Sequence, residues 1–259
     1  LLLHQRTEYQ ASLGILKKVA SPSAAEHSLI GRNYLMLGDY KKAIDEQQKA
    51  VDLELGNSNY YLWLGRAWGR RAETSSPFSA PSSASKARVA FEKAVELDPK
   101  NLEAISDLFD YYLEAPGFLG GGLEKAAVLA QRIQIINPAE YQYAEARLAE
   151  KRRETSQAEQ HFRRAVALAP RQVGRMIDLA RYLAKQGRLQ ESEAMFDQAQ
   201  KLAPDSPKVL FWRAKTYVQE KQNLDRAHEL LMRYLESNLT PDDPPREEAE
   251  KLLRKIVGA

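Results

Sequence analysis

Four prolines fix the register of this chain. Pro99, Pro138, Pro170 and Pro204 each close a run of helical periodicity, because proline lacks an amide hydrogen and cannot continue a helix. Twelve residues before them stand Ala87, Ala126, Ala158 and Ser192; eight before, Phe91, Ala130, Phe162 and Phe196; five before, Ala94, Ile133, Ala165 and Ala199. Small residues at fixed offsets let helices approach closely, and the large rings fill the space between them. The period is about 34 residues: Gly31 and Gly65, Tyr34 and Trp68, and Pro170 and Pro204 are all separated by it. Periods of this size mean stacked supersecondary units.

The unit itself is clearest from Val173 to Ser206. Met176, Leu179, Ala180 and Leu183 form one apolar helical stripe, and Met195, Phe196, Ala199, Leu202 and Ala203 form a second. Gly187 lies between them, where a left-handed cap ends the first helix. So short a unit cannot bury both stripes by itself, so it requires copies on either side.

Those copies resemble the tetratricopeptide repeat family, which places a small residue and an aromatic in its first helix and then Ala, aromatic, Ala and Pro in its second. The residues that carry the likeness are LIGRNYLMLGDYKKAIDEQQKAV (29–51), WLGRAW with FEKAVELDP (63–68 and 91–99) and FRRAVALAP (162–170). The resemblance implies an all-α fold, a right-handed α-solenoid of about six stacked helix-turn-helix repeats plus flanking helices. The units read as 24–57, 58–101, 102–140, 141–172, 173–206 and 207–240, with an N-terminal helix over 1–20 and a capping helix over 244–257. Two departures stand out. Leu148 falls where the fourth unit should be small, and the sixth has no proline in register and ends in SNLTPDDPP (237–245).

Two insertions interrupt the period. RRAETSSPFSAPSSASK (70–86) reads as a mobile loop open to proteolysis near Arg71 or Lys86, since Phe78 is its one large apolar residue. APGFLGGG (115–122) reads as a bend, and the two insertions should be neighbours in space. Gly120, Gly121 and Gly122 precede a helix without the lysine of a nucleotide-binding loop.

Composition sets the remaining bounds. Of 259 residues, 44% are hydrophobic and 28% charged, which is ordinary for a folded domain. A net charge of +3 is too small to imply nucleic acid, and no run is long enough to span a membrane. His4, His27, His161 and His228 lack ligand spacing, and no serine elbow or metal carboxylate pair stands out. The sequence therefore predicts no catalytic residue, no metal and no cofactor. The chain begins at Leu1 rather than methionine and has no cysteine, which predicts a removed upstream segment and slightly favours a periplasmic or secreted bacterial protein, with a cytoplasmic one also open.

The resemblance also implies a function. In this family the first helices line a concave groove that holds protein partners, so the chain is expected to be a non-catalytic interaction scaffold. The groove residues expected here are Arg32, Trp63, Arg66 and Arg70, then the acidic Glu103, Asp107 and Asp110, then Arg181, Lys185, Phe211 and Lys215. Arg32 and Arg66 lie one repeat apart, and such an alternation of charge suits an extended, partly acidic peptide. The lysine–asparagine clamp that some members use for chaperone tails is missing. Two other readings remain open: a nucleic-acid-binding repeat, and a ligand-holding accessory of an envelope transport system.

Overall fold

The computed structural model describes residues 1–258, and every regular element among them is a helix. The chain divides into two compact units, Leu1–Asn137 and Pro138–Ala259. The first contains α1 (Leu2–Gln5), α2 (Tyr9–Leu16), α3 (Ala24–Met36), α4 (Tyr40–Leu53), α5 (Ser58–Thr74), α6 (Ala80–Leu97), α7 (Leu102–Glu114) and α8 (Leu123–Ile136). The second contains α9 (Pro138–Arg152), α10 (Thr155–Leu168), α11 (Val173–Lys185), α12 (Leu189–Leu202), α13 (Pro207–Glu220), α14 (Leu224–Glu236) and α15 (Arg246–Val257). In each unit, antiparallel pairs stack so that the first helix of one pair packs on the first helix of the next, α3 on α5 and α5 on α7, and α11 on α13.

Local chemistry sets the helix ends. The Ser23 side chain accepts from the Glu26 amide and the Glu26 carboxylate accepts from the Ser23 amide, a capping box that starts α3. Each tight turn within a pair needs a left-handed residue. Gly38 and Gly187 supply it with φ of 76°, and Arg153 takes the same place between α9 and α10 with φ of 63°.

The small positions carry the packing. Ala43, Ala126, Ala158 and Ala227 are wholly buried, and Ser192 is nearly so. The rings Phe91, Phe162 and Phe196 are buried four residues further on, each worth about 1.5–3 kcal/mol of removal from water. A Cβ at Gly65 would lie 2.5 Å from the Phe91 ring, so the glycine permits the approach of α5 to α6. In the first pair Gln47 replaces the ring; it is 1% exposed and donates from Nε2 to the Ser28 carbonyl at 2.9 Å.

Several expectations are corrected. The segment 70–86 is not a loop: α5 and α6 have 17 and 18 residues against 13 and 14 in α3 and α4, so the insertion adds about one turn to each helix. The added turns meet each other, with Lys86 Nζ 4.3 Å and Arg71 Cζ 5.5 Å from the Trp68 ring. Only residues 75–79 are non-helical there, and Phe78 is 98% exposed. The segment 1–20 is two helices rather than one, broken at Thr7 (φ 59°), and a buried chain from His4 Nδ1 to Asn33 Oδ1 and from Asn33 Nδ2 to Ser12 Oγ, both 2.8 Å, pins them to α3. The small residue of the fourth pair is Ala146, twelve before Ala158, and Leu148 is a buried core side chain. The stretch 237–245 is also tied down: the Thr240 amide and hydroxyl both donate to Asp243, and the Tyr234 hydroxyl donates to the Pro244 carbonyl.

The 115–122 bend lies against α6 through a 3₁₀ turn, Gly117–Leu119. Its glycine amides are already used: Gly120, Gly121 and Gly122 donate to the carbonyls of Gly117, Pro116 and Tyr112. These amides are therefore not presented to an anion.

Candidate functional site

The ninth residue of several first helices is a cation: Arg32 in α3, Arg66 in α5, Arg181 in α11 and Lys215 in α13. The three arginines each reach the next first helix in their own unit, and Lys215 reaches the terminal helix α15. Arg32 Cζ lies 4.3 Å from the ring centroid of Trp63 on α5. Arg66 donates from Nε to Asp107 at 2.6 Å and from Nη2 to Glu103 at 3.0 Å, both on α7. Arg181 Cζ lies 4.1 Å from Trp212 on α13, and Lys215 Nζ lies 3.5 Å from Glu248 on α15. The result is a ladder of cations, each rung joining successive repeats, with an indole as acceptor at two rungs and carboxylates at the others.

The acceptor decides what a rung can do. A carboxylate cancels the charge. Burial disfavours the Arg66 guanidinium, but Asp107 and Glu103 outweigh that and hold its pKa above the ordinary arginine value. Burial in turn pushes the Asp107 carboxyl up, and Arg66 only partly restores it. An indole attracts a cation by about 0.5–2 kcal/mol through its quadrupole but leaves the charge uncancelled. At both indole rungs a second cation lies one turn further along the same helix: Arg66 at 4.6 Å from Trp63 and Lys215 at 4.8 Å from Trp212.

The ladder continues on α9 and α11. Arg175 Cζ stacks 4.2 Å from the Tyr143 ring, and its guanidinium pairs with Glu140 at 2.9 Å and Asp178 at 3.1 Å. Asp178, the sixth residue of α11, holds the place that Trp63 and Trp212 hold in their helices. Burial pushes its carboxyl up to about 6; Arg175, Arg181 and Arg147 oppose that shift and Glu140 adds to it.

The expected groove residues distribute as follows. Arg32, Trp63, Arg66, Glu103 and Asp107 come together in the first unit, and Arg181 and Lys215 in the second. Arg66 is not presented to a partner as expected, because its guanidinium is committed to α7. Arg70 pairs with Glu73 on its own helix at 2.5 Å, and its guanidinium also lies 5.9 Å from the Tyr40 ring. Glu103 and Asp110 are exposed on α7, while Asp107 is partly buried. Lys185 pairs with Glu150 at 3.0 Å. Phe211 is a correction: it has no exposure and packs against Tyr234, and the partly buried Trp212 meets Arg181 in its place. The sequence reading was out of phase by one residue on α13. Trp212 lies five residues after Pro207 as Trp63 lies five after Ser58, and that register would have found it. Tyr143 and Arg147 were missed because α9 starts at Pro138 rather than at 141; Arg175 and Asp178 lie on α11, whose start was read correctly, and it is their partners on α9 that mark them.

Comparison with known proteins agrees with this construction. Models of the tetratricopeptide repeat match residues 27–57 and 149–210. No curated protein matches the sequence. A tetratricopeptide repeat protein of Parabacteroides merdae ATCC 43184 aligns in structure over 96% of this chain and 91% of its own, with a TM-score of 0.62 and 15% identity. A chain of the APC/C hetero-tetramer Cut9–Hcn1 aligns over 98% of this chain, which spans only 47% of that one, with a TM-score of 0.56 and 15% identity. Identities this low speak to fold alone. With the family's small residues buried at each pair and its repeat matched in both units, the chain is a tetratricopeptide repeat protein.

Proposed function

We propose that this protein-interaction scaffold holds an extended, acidic segment of a partner along its first helices and does no chemistry of its own. The observation that carries the reading is Arg181. It stacks on Trp212 at 4.1 Å and, among the described residues, makes no hydrogen bond or ion pair, its charge acting on Asp178 without a direct pair, so its edge donors are open to a partner's carboxylate. The carboxylates on the same faces, Glu103 and Asp107 in one unit and Asp178 and Glu248 in the other, oppose a continuous phosphate backbone and favour a peptide over nucleic acid.

The test is R181Q, which removes the charge while Asp178 keeps its ion pair with Arg175. A pull-down from the native host with R181Q should lose the partner, about tenfold in affinity for one charge-assisted contact. An unchanged partner list, with the variant fully folded, would overturn the reading. Reversing Arg66 is unsuitable here, because that change breaks the pair with Asp107 and reports on folding.

A further inference from the structure

We infer that the second-helix face of the first unit docks an amphipathic helix of a partner protein, one whose apolar stripe is flanked by carboxylates seven residues apart. The inference does not rest on the first-helix reading, because it uses the other side of α5. At about 100° per residue, Trp63, Arg66 and Arg70 share one side of that helix and Leu64 and Trp68 the opposite one. Leu64 and Trp68 floor a groove of about 690 Å³ walled by α4 and α6. Leu108 and Tyr112 floor a second, of about 440 Å³, walled by α6 and α8. The two are built alike. One wall carries Lys86, Val89 and Lys93 in the first groove and Lys125, Val128 and Arg132 in the second, a cation, a valine and a cation at i, i+3 and i+7. The facing wall carries Asp52 in the first and Glu96 in the second, each nine residues after the small buried position of its helix, Ala43 or Ala87.

These grooves differ from the rest of the second-helix face. The valine stands two residues after the small buried position, where the other second helices have Asp45, Gln160, Ala194 and Glu229. Val89 and Val128 are 56% and 64% exposed, so the apolar floor extends to the rim of each groove. In the second unit the matching walls are tied together instead: Arg163 on α10 and Glu191 on α12 pair across at 3.0 Å. In the first unit the wall pairs stay within one helix, Lys93 with Glu96 and Arg88 with Glu92, and exposed pairs of that kind cost little to exchange. Lys86 stacks on the Trp68 ring at 4.3 Å, which leaves its charge uncancelled. The wall charges name the occupant. Seven residues rise about 10 Å along a helix, so the two cations of each wall stand about that far apart. A helix lying alongside meets both with carboxylates seven residues apart and turns its apolar stripe onto the valine and the floor. The opposite charge of the facing wall, Asp52 or Glu96, selects lysine or arginine on the helix's other flank and so sets its direction.

The experiment uses the whole chain carrying R181Q, in which the first-helix contact is absent, and as probe an acetylated peptide of three Leu-Ala-Ala-Leu-Glu-Ala-Lys repeats. Calorimetry should find two peptides per chain, and one when V89D or V128D is added; both positions are exposed, so the fold is unaffected. The Trp68 indole N–H signal, one of three in a ¹⁵N spectrum and assigned by its loss in W68F, should move on titration and stay still in V89D. A peptide with lysine in place of glutamate should bind about tenfold more weakly or worse. Failure to bind, a single bound peptide, equal binding of the two peptides, or binding that leaves Trp68 unmoved overturns the inference. So does a Trp68 shift on raising the protein concentration alone, which would mean that a second copy covers the face. None of these outcomes touches the first-helix reading, whose own test compares R181Q with the wild type.

Discussion

The two units use one joint, with an indole rung and a carboxylate rung in each, but differ in which arginine is cancelled and in the small residues beside it. In Leu1–Asn137 the close-packing position is glycine in the first two pairs, Gly31 and Gly65, with Phe109 in the third; in Pro138–Ala259 it is alanine, Ala146, Ala180 and Ala214. The first unit's Arg66 ends on two carboxylates of α7, whereas the second unit's Arg181 stacks on an indole and acts on Asp178 only through its charge. The same residue type at the same repeat position is therefore a structural tie in one case and an available charge in the other. Position in the repeat sets where an arginine stands, and its neighbour sets what it can do.

Charge reversal should separate the two most sharply. R66E would place a carboxylate against Asp107, whose side chain is 25% exposed, and leave that acid without its counter-ion. A loss of about 3 kcal/mol is expected by chemical denaturation. R181Q should cost under about 0.5 kcal/mol in the same assay, because no internal ion pair is lost. Equal losses would erase the distinction between the rungs.

The small residues give the next effect. G65A should destabilise by about 2 kcal/mol, since the added methyl meets the Phe91 ring and a ring edge moves less readily than a flexible side chain. G31A meets Gln47 instead and should cost less, about 1 kcal/mol. If the two cost the same, the ring is not what demands glycine at Gly65.

Asp178 offers a pH signature confined to the second unit. Its folded pKa, about 6, lies above the unfolded value, so the folded state binds the proton more tightly. Its contribution to stability is therefore complete below about pH 4 and is lost as pH rises through 6. D178N should remove that loss, gaining about 3 kcal/mol on the wild type at pH 7 relative to pH 4. A pH-independent difference between the two proteins would show that burial of this carboxylate is not the cause.

The smallest effect is at the turns. Arg153 adopts the left-handed conformation that glycine supplies at Gly38 and Gly187. R153G should stabilise the second unit by about 0.5 kcal/mol, the relief of strain being partly offset by the added freedom of the unfolded chain. A G187R change should cost about 1 kcal/mol by the same reasoning. Thermal melts of both would show whether the turns are interchangeable.

Much of the fold was legible because it is written at short range. Ala158, Phe162, Ala165 and Pro170 lie within four turns of one another, and their offsets report one buried stripe and its end. Residues 70–86 misled for an equally physical reason. Serine, proline and alanine build no core, but Ser83 and Ala87 need only a small gap against α5, and a proline in the first turn of α6 starts a helix rather than breaking one. On α13 the error was one of phase: neighbouring residues on a helix differ by about 100°, so a one-residue slip named the core ring Phe211 in place of the partly buried Trp212.

By itself the sequence determined the repeat, the helix pairs, the turns and the small buried positions, because periodicity, proline and glycine act within a few residues. Only the tertiary structure decided which cations are cancelled. Arg32, Arg66 and Arg181 look alike in the sequence, and their acceptors Trp63, Asp107 and Trp212 come from the next repeat, 31 to 41 residues away. Whether a charge is tied or open depends on which side chain the neighbouring helix presents within about 4 Å, and no local pattern encodes that distance.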